Sequence, residues 1–412
     1  MFVPVRLKLS GIPTHREERG MEKPKLRTDI QVTPYQDAEN VGVLIQDALI
    51  EGRTMMLSDG AVLLMSFMDG TRTIRDIQSE IMRQTGQLVN SEEIEQFVQL
   101  LDNHYLLDNA NYRQRLRTLA AEYKRLEARP PLMADAGYPA DPQQLRAFLD
   151  DVFAQSENSH LDGRLPEKLS GIVAPHIDIP RGQNTYAKVY GALRKYDPAQ
   201  TYIVLGVNHQ YPTQNPFIAT DRAYQTPLGK LPVDTGLLHQ LNQRLDWDIL
   251  EGEIAHRGEH SIEFPALFLR YLYPEAEMKI VPILSNYYDK TDERVERFIR
   301  ALREIIAGRE DIVLISSVDF SHIGPQFGWQ REVTPADIAS TEREDRLTIA
   351  FLEKNDPDGF YADIMKDQNR RNIDALGATY VFQRVLDKPG VLIQYEQAFD
   401  PLNTVTFTGL IF

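Results

Sequence analysis

The feature that most constrains this chain is a regular alternation of short apolar runs and amphipathic stretches between residues 139 and 412. The apolar runs have the length of buried strands, and the stretches between them carry apolar residues at helical spacing. Buried strands separated by helices predict an α/β sandwich with a mainly parallel sheet. The predicted strands are residues 169–174, 201–207, 278–284, 311–317 and 390–396. The predicted helices are residues 185–196, 264–272, 294–307 and 340–352.

A smaller unit precedes this region. Residues 30–49 mix β-branched residues with turn formers, which indicates short strands or a hairpin. Three short helices follow, because Ser58-Asp59, Thr73 and Ser91 each stand before apolar residues at helical spacing and can cap them. We therefore predict an arm at residues 1–29, a winged-helix-like domain at residues 30–110, a linker helix at residues 111–138 and an α/β domain at residues 139–412.

The winged-helix-like unit resembles the PqqD-like domains, which recognise leader peptides in ribosomal peptide maturation. The resemblance rests on Met68-Asp69-Gly70-Thr71-Arg72-Thr73-Ile74, on a helix ending at Leu101 and on Tyr105-Leu106-Leu107. It implies a peptide or leader-peptide partner bound by residues 30–110. A winged helix used for domain docking or dimerisation is the alternative. DNA binding is disfavoured, since the third helix begins with acidic residues.

Composition restricts the chemistry of the chain. The 412 residues contain no cysteine, which excludes disulfides, thiolate catalysis and cysteine-bound zinc or iron–sulfur centres. Any metal site must therefore be built from His, Asp and Glu. The net charge of −15 disfavours nucleic acid as the main partner, because phosphate binding needs a basic surface. No apolar run reaches the ~18 residues of a membrane span, and the first residues lack a signal peptide's apolar core, so we expect a cytoplasmic protein without a membrane partner.

Histidines gather where ligands of α/β sheets bind. Such ligands lie at the carboxyl ends of the strands, and four of the nine histidines fall directly after predicted strands or at a similar junction: His176, His209, His260 and His322. For each histidine alone, a hydrogen-bonded structural role is the competing interpretation. The other five are predicted to be structural or surface residues: His15, His104, His160, His239 and His256.

Imidazoles and carboxylates without cysteine support three kinds of chemistry. Two His and one carboxylate suit Fe(II) with open positions for O₂ or substrate, and two or three His with a water suit a hydrolytic zinc. A histidine off the metal can act as a general base, and Glu259, Glu263 or Asp319 can orient an imidazole. The sequence has no HExxH, GxSxG, dinucleotide or Walker pattern, so zincin, α/β-hydrolase and nucleotide-binding interpretations lack support.

From about residue 169 to the C-terminus the chain resembles the Memo-like family, also known as AmmeMemoRadiSam system protein B. The resemblance spans about 240 residues. It rests on five ordered motifs and a closing strand: Ala174-Pro175-His176, Leu205-Gly206-Val207-Asn208-His209, Glu259-His260-Ser261-Ile262-Glu263, Val281-Pro282-Ile283-Leu284, Ser316-Ser317-Val318-Asp319-Phe320-Ser321-His322-Ile323-Gly324 and Asn403-Thr404-Val405-Thr406-Phe407.

The resemblance implies an α/β fold shared with the class III extradiol (LigB-type) dioxygenases, which bind non-haem iron. It implies three metal ligands, with an aspartate where many members have a cysteine: His176, His209 and Asp374. It implies three further catalytic positions, of which His322 is the best candidate for acid–base work: His260, Asp319 and His322. An ordinary helix N-cap is the alternative role of Asp374, and Asp178 adds a negative group near the presumed metal.

We therefore expect a metal-dependent oxidoreductase of the Memo/extradiol dioxygenase-like type. Its divalent metal is expected to be Fe(II), with copper or zinc as alternatives, and an aspartate in place of the cysteine would shift preference toward iron. The PqqD-like unit would present a peptide or protein, and a radical-SAM protein is a second implied partner. Two alternatives stay open, namely a non-catalytic scaffold that binds a metal or peptide, and a metal-assisted hydrolase.

Overall fold

The computed structural model describes residues 23–36, 41–47, 50, 54–154, 165–209, 211, 213–286 and 288–412. Residues 1–22 of the predicted arm lie outside these ranges, as do His15 and His160. The chain divides into two compact units, Met1–Glu122 and Tyr123–Phe412. Within the described residues, no helix combines the length and the apolar character that crossing a bilayer requires.

The smaller unit contains an antiparallel sheet followed by helices. Its described elements are β1 (Gln31–Gln36), β2 (Val41–Gln46), β3 (Thr54–Ser58), α1 (Asp59–Ser66), α2 (Ile74–Thr85), α3 (Ser91–Asn103) and α4 (Ala110–Tyr123), the last of which ends on the first residue of the larger unit. Strand β2 pairs with both β1 and β3, which leaves β3 at one edge of the sheet.

The predicted helix starts reflect local capping. The Thr73 side chain accepts the backbone N–H of Asp76 at 3.2 Å, and the Thr73 N–H donates to the Asp76 carboxylate at 2.8 Å. This reciprocal pair satisfies two donors that a helix leaves open at its first turn. Gly86 ends the same helix at a φ of 71°, a left-handed conformation that glycine adopts without strain.

The end of the arm predicted at residues 1–29 is bonded to the smaller unit. The Leu26 N–H donates to the Met68 carbonyl at 2.9 Å, and the Arg27 N–H donates to the Leu106 carbonyl at 3.1 Å. The side chain of Arg27 is buried and forms an ion pair with Asp47. Residues 23–29 are therefore part of the smaller unit, because their backbone groups are bonded to residues on either side of α2 and α3.

The larger unit contains eleven strands and eight α-helices among its described residues. The strands are β4 (Ala128–Arg129), β5 (Gly171–Ala174), β6 (Thr201–Val207), β7 (Phe217–Ala219), β8 (Ala223–Thr226), β9 (Gly229–Leu231), β10 (Lys279–Ser285), β11 (Ile312–Ser317), β12 (His322–Ile323), β13 (Val391–Ala398) and β14 (Thr404–Ile411). The helices are α5 (Pro142–Ala154), α6 (Ile179–Leu193), α7 (Thr235–Asn242), α8 (Glu263–Leu272), α9 (Glu293–Ile306), α10 (Pro335–Glu353), α11 (Pro357–Met365) and α12 (Ala375–Leu386).

The main sheet has eight strands in the order β12-β14-β5-β11-β6-β10-β7, with β13 on the other side of β14. Only β5, β11, β6 and β10 run parallel. The expectation of a mainly parallel sheet is therefore wrong, and the sheet is mixed. The reason is local: β13 and β14 are joined by a five-residue loop, which is too short for the crossover that parallel strands need.

The predicted linker helix is only partly helical. Helix α4 ends at Tyr123, and residues 123–138 belong to the larger unit. There β4 pairs with β8, which in turn pairs with β9 to form a second, three-stranded sheet. Arg129 of β4 is fully buried, so this segment is part of the core of the larger unit rather than a solvated connection.

Candidate metal centre

The candidate site forms at the carboxyl ends of three neighbouring strands, β5, β11 and β6. His176, Asp319 and His209 each lie two residues beyond the end of one of these strands. His322 follows on the same loop as Asp319, and Asp374 reaches the site from the start of α12. The strand order thus brings together five of the six predicted site residues, as expected for an α/β sheet.

Three imidazole nitrogens converge on one carboxylate oxygen, Oδ2 of Asp374. The distances from this oxygen to Nε2 are 3.1 Å for His176, 3.7 Å for His209 and 3.9 Å for His322. The rings of His176 and His209 stand perpendicular, with their centroids 5.0 Å apart. Imidazoles at these positions present their ring nitrogens to a common point.

Backbone carbonyls select the tautomers of two of these rings. Nδ1 of His176 lies 3.0 Å from the carbonyl oxygen of Ser317, and Nδ1 of His322 lies 3.0 Å from that of Phe320. A carbonyl only accepts hydrogen bonds, so each Nδ1 carries the hydrogen. In the neutral ring the lone pair is then on Nε2 and faces Asp374, which is the arrangement that a metal ligand needs.

Glu259 orients the third ring. Its buried carboxylate lies 3.0 Å from Nδ1 of His209 and also accepts the backbone N–H groups of His209, His260 and Ser261 at 2.8–3.0 Å. Oxygen and nitrogen atoms of His209, Glu259 and His260 lie close enough to hold a metal. Four donors already occupy the two oxygens of Glu259, so its role is to hold the loop and the His209 ring.

Asp374 occupies the N-cap position of α12, but its side chain makes no capping hydrogen bond. One carboxylate oxygen accepts the backbone N–H of Asp319 at 2.8 Å. The other, Oδ2, is buried and faces the imidazole Nε2 atoms of His176, His209 and His322 in place of the backbone N–H groups of its helix. The alternative prediction of an ordinary capping residue is therefore wrong for this side chain, which is turned away from its helix and into the site.

The donor set fits a divalent metal ion. Among the described residues, the ligand atoms of His176, His209 and Asp374 lie within 4.8 Å of one another, and so do those of Asp319, His322 and Asp374. A buried carboxylate oxygen surrounded by imidazole lone pairs is an arrangement that a cation would satisfy. Two His and one carboxylate are compatible with iron or zinc, and the geometry does not select between them.

Electrostatics also favour positive charge at this point. Burial lowers the pKa of His176, but the carboxylates of Asp319 and Asp374 outweigh burial and raise it to about 9. Burial alone would raise the pKa of Asp374, yet His176 and His209 hold it below its ordinary range. Burial raises the pKa of Asp319. In the metal-free chain a proton therefore occupies the place that a cation would take.

His260 is the one predicted site residue that is not aimed at Asp374. Its ring stacks on that of His209 with centroids 5.3 Å apart, and its Nδ1 lies 3.4 Å from Glu259. Burial and the neighbouring His209 lower its pKa to about 4, so the ring is neutral at pH 7. About a third of the side chain is exposed, which leaves it accessible from the mouth of the site.

Two predicted carboxylates have other roles. Asp178 caps α6 by accepting the Arg181 N–H at 3.1 Å, and it also pairs with the Arg181 side chain. The negative group that Asp178 was expected to add near the metal is therefore paired with Arg181. Glu263 meets no imidazole; it accepts Arg129, Tyr138 and two backbone N–H groups in the core.

Sequence reasoning missed Arg129. Its guanidinium donates to the carbonyl oxygens of His256 at 2.7 Å and Glu259 at 2.6 Å, and it pairs with Glu263. These bonds fasten the loop that presents Glu259 to His209. Arg129 lies in the linker helix predicted at residues 111–138, whose many charged residues are typical of a solvated helix, so no local signal marked Arg129 as buried.

Of the remaining histidines, His256 is structural. It is fully buried, its Nδ1 lies 2.7 Å from the Tyr224 hydroxyl, and its Nε2 lies 3.2 Å from the Ile218 carbonyl. Burial lowers its pKa to about 3, so the ring is neutral. His239 is on the exposed face of α7, close to Gln243. Neither residue approaches the site, in agreement with their predicted roles.

Sequence comparison shows which known proteins this chain is similar to. A sequence profile described as Memo-like protein matches residues 129–400. A MEMO1 family protein of Aquifex aeolicus (strain VF5) is 31% identical over 399 residues, which cover 95% of this chain and 100% of that protein. MEMO1 family protein TTHA0924 of Thermus thermophilus is 29% identical over 283 residues, which cover 69% of this chain and 80% of that protein. Because 95% of this chain is aligned, the Aquifex relative also matches most of the smaller unit.

Among solved structures, the crystal structure of the uncharacterized protein JW3007 from Escherichia coli K12 aligns with 59% of this chain and 99% of its own. The identity is 13% and the TM-score is 0.33. A likeness at this level carries no argument about fold or function.

Proposed function

The chain belongs to the Memo-like family, and we propose that it is a metal-dependent oxidoreductase of the extradiol dioxygenase-like type, with Fe(II) held by His176, His209 and Asp374. The observation that carries this proposal is the convergence of imidazole Nε2 atoms on the buried Oδ2 of Asp374. Two neutral imidazoles and a carboxylate are the ligand set of non-haem iron oxygenases, in which Fe(II) supplies the redox chemistry with O₂.

The residues around the ligands have separate tasks in this proposal. Glu259 keeps the lone pair of His209 on Nε2, and the Ser317 carbonyl does the same for His176. His260 is neutral and partly exposed, so we assign it a hydrogen bond to the substrate, because a ring with a pKa of about 4 is a weak base at pH 7. We keep the acid–base role for His322, whose Nε2 lies 3.9 Å from Asp374 Oδ2 and so beside the metal position.

Metal analysis and oxygen consumption test the proposal. Protein purified without chelators is expected to contain about one iron per chain and to consume O₂ with catecholic or peptide substrates. His176→Ala should abolish both iron binding and O₂ consumption. His239→Ala is the matched control, because it removes a histidine on an exposed helix face without touching the site. An absence of bound metal in the unsubstituted protein would contradict the proposal.

The same measurements separate the two alternatives. Stoichiometric metal without O₂ consumption, together with partner binding that survives His176→Ala, would indicate a scaffold. Zinc with hydrolytic turnover would indicate a metal-assisted hydrolase, because zinc performs no redox chemistry.

For the smaller unit we propose peptide recognition of the PqqD-like kind, with a radical-SAM protein as a further partner. Two observations support a peptide: β3 is an edge strand that pairs with β2 on one side only, and Met56 within it is about half exposed. An extended peptide can add to such an edge through backbone hydrogen bonds. Amide hydrogen exchange is the test; a precursor peptide encoded beside the gene should protect residues 54–58, and unchanged exchange there would contradict the proposal.

A further inference from the structure

A buried carboxylate outside the candidate site connects the two loops that carry His322 and Asp374. It belongs to Asp345 on α10, a helix that contributes none of the candidate ligands. The Asp345 side chain is fully buried. A carboxylate in such a position is costly unless its oxygens are satisfied, and here the satisfying groups come from the loops behind the site.

Asp345 accepts four side-chain donors. Oδ1 accepts the Ser321 hydroxyl at 2.6 Å and the guanidinium of Arg371, and Oδ2 accepts the hydroxyls of Thr406 at 2.6 Å and Tyr395 at 2.9 Å. Ser321 immediately precedes His322, and Arg371 lies three residues before Asp374. One carboxylate therefore holds both loops.

Hydrogen bonds to backbone carbonyls link the Arg371 loop to His322 and its imidazole ring. The His322 N–H donates to the Arg371 carbonyl at 2.7 Å, and His322 Nδ1 lies 3.1 Å from the Asn372 carbonyl. The Asp319 N–H donates to Asp374, so the loops also meet at the site itself. Of the two carbonyls that face His322 Nδ1, that of Asn372 would shift with Arg371, together with the start of α12, and that of Phe320 would shift with Ser321.

We propose that Asp345 is a positioning residue for the metal centre, acting through Ser321 on the His322 loop and through Arg371 on the Asp374 loop. The effect of Asp345 on metal binding rests on the proposed function. The effect of Asp345 on the orientation of His322 does not, and it also holds in the metal-free protein. Asp345 does not reach the metal, and its effect is on the geometry of the residues that do.

The first test reads imidazole tautomers in the metal-free protein by long-range proton–nitrogen NMR. In the unsubstituted chain, His322 should be a single tautomer with hydrogen on Nδ1. Asp345→Asn removes the nearest and most deeply buried carboxylate from Arg371 and leaves Glu344 and Asp363 at 3.4 and 3.8 Å. Arg371 should shift toward these, so His322 should become a mixture of tautomers. His256 provides an internal reference, because its partners lie on other elements and its signal should not change. An unchanged His322 signal in folded Asp345→Asn protein would overturn the proposal.

The second test measures Co(II) affinity with a matched pair of variants. Ser321→Ala and Tyr395→Phe each remove one hydroxyl donor from Asp345, but only Ser321 lies on a site loop. Loss of a group that orients ligands typically weakens metal binding about 10–100-fold, so Ser321→Ala should raise the Co(II) dissociation constant by about tenfold. Tyr395→Phe should change it by no more than about twofold.

This pair also covers the case in which Asp345→Asn does not fold. Equal effects of Ser321→Ala and Tyr395→Phe on Co(II) affinity would overturn the proposal. They would mean that losing any hydrogen bond to Asp345 disturbs the packing equally, whether or not the donor lies on a loop of the site. A failure of the unsubstituted protein to bind metal would contradict the proposed function instead, and the tautomer measurement would still decide whether Asp345 positions His322.

Discussion

Glu259 shows how one residue can control the site without binding the metal. Its carboxylate accepts the imidazole of His209 and three backbone N–H groups, those of His209, His260 and Ser261. Nearby His209 and His260 hold the pKa of Glu259 well below its ordinary range despite burial, so it is ionised at pH 7. An ionised acceptor behind an imidazole increases the basicity of the ligand nitrogen.

We therefore expect Glu259→Gln to weaken metal binding about 10–100-fold. The amide keeps one acceptor oxygen but loses the charge that supports the His209 ring. Glu253→Gln is the matched control, since Glu253 is also buried but bonds to Thr220 away from the site. Metal titration of both variants checks the prediction, and equal affinities would refute it.

His176 makes the stability of the metal-free protein depend on pH. Its pKa is about 9 in the folded chain and about 6.5 in an unfolded one, so the folded state holds the proton more tightly. This contribution is complete below pH 6.5 and is lost as pH rises through 9. The difference amounts to on the order of 3 kcal/mol. Denaturant unfolding between pH 6 and 10 should show this decline in free energy of unfolding. His176→Gln should make the decline smaller without abolishing it, because burial lowers the pKa of His209 but Glu259 and Asp374 outweigh burial and raise it.

Metal affinity should depend on pH in the opposite direction to the stability of the metal-free protein. A metal ligand must be a neutral imidazole, so binding below pH 9 expels the His176 proton. Apparent metal affinity is therefore expected to rise with pH up to that value. Calorimetry in buffers of different ionisation enthalpy measures the released proton, and binding without proton release would contradict the assignment of His176.

At the scale of elements, the end of β6 is packed directly against the loop that presents Glu259. A Cβ on Gly206 would stand 2.6 Å from the Ser261 hydroxyl and 2.7 Å from the Ile262 side chain. That hydroxyl accepts the Val207 N–H at 3.0 Å and donates to the Val207 carbonyl at 2.9 Å. Glycine at this position allows the strand and the loop to share these bonds.

Gly206→Ala is expected to destabilise the protein by about 1–3 kcal/mol, the usual cost of overpacking. It should also weaken metal binding, since the displaced loop carries Glu259. Gly236→Ala is the control, because its added Cβ meets its nearest neighbour at an ordinary 3.5 Å. Thermal unfolding and metal titration of both variants test this, and an unaffected Gly206→Ala protein would contradict the described packing.

The elements themselves were largely predictable from the sequence. The strand predicted at residues 201–207 has those bounds, and the helix predicted at residues 264–272 begins one residue earlier. Periodicity predicts such elements because each is defined by near neighbours along the chain. The strands predicted at residues 390–396 and 403–407 correspond to β13 and β14, but their antiparallel direction was not predicted, because an apolar run does not report which strands it will pair with.

At the scale of the whole molecule, Arg129 links a segment near the start of the larger unit to the loop that contains Glu259. Its side chain and that of Glu263 are both fully buried and form an ion pair. Removing one partner of a buried pair leaves an uncompensated charge. The family profile begins at Arg129, so this bond joins the first matched residue to the loop of Glu259.

Arg129→Met is therefore expected to reduce the free energy of unfolding by about 3–5 kcal/mol. Arg331→Met is the comparison, since Arg331 is largely exposed and solvent screening leaves its ion pair with Asp337 little effect on stability. Chemical denaturation of the two variants measures the difference. Similar losses would indicate that the buried pair does not anchor the loop.

The sequence by itself determined the strands, the histidines at their ends and a site built without cysteine. Tertiary structure decided that Asp374 turns into the site instead of capping its helix, that Glu259 and not Glu263 orients an imidazole, and that Arg129 is buried. The deciding contacts join residues far apart in the chain: His176 bonds to Asp319 across 143 positions, and Arg129 bonds to Glu263 across 134. Residue patterns report near neighbours, whereas the direction and partner of a buried polar side chain depend on the segments that folding places beside it.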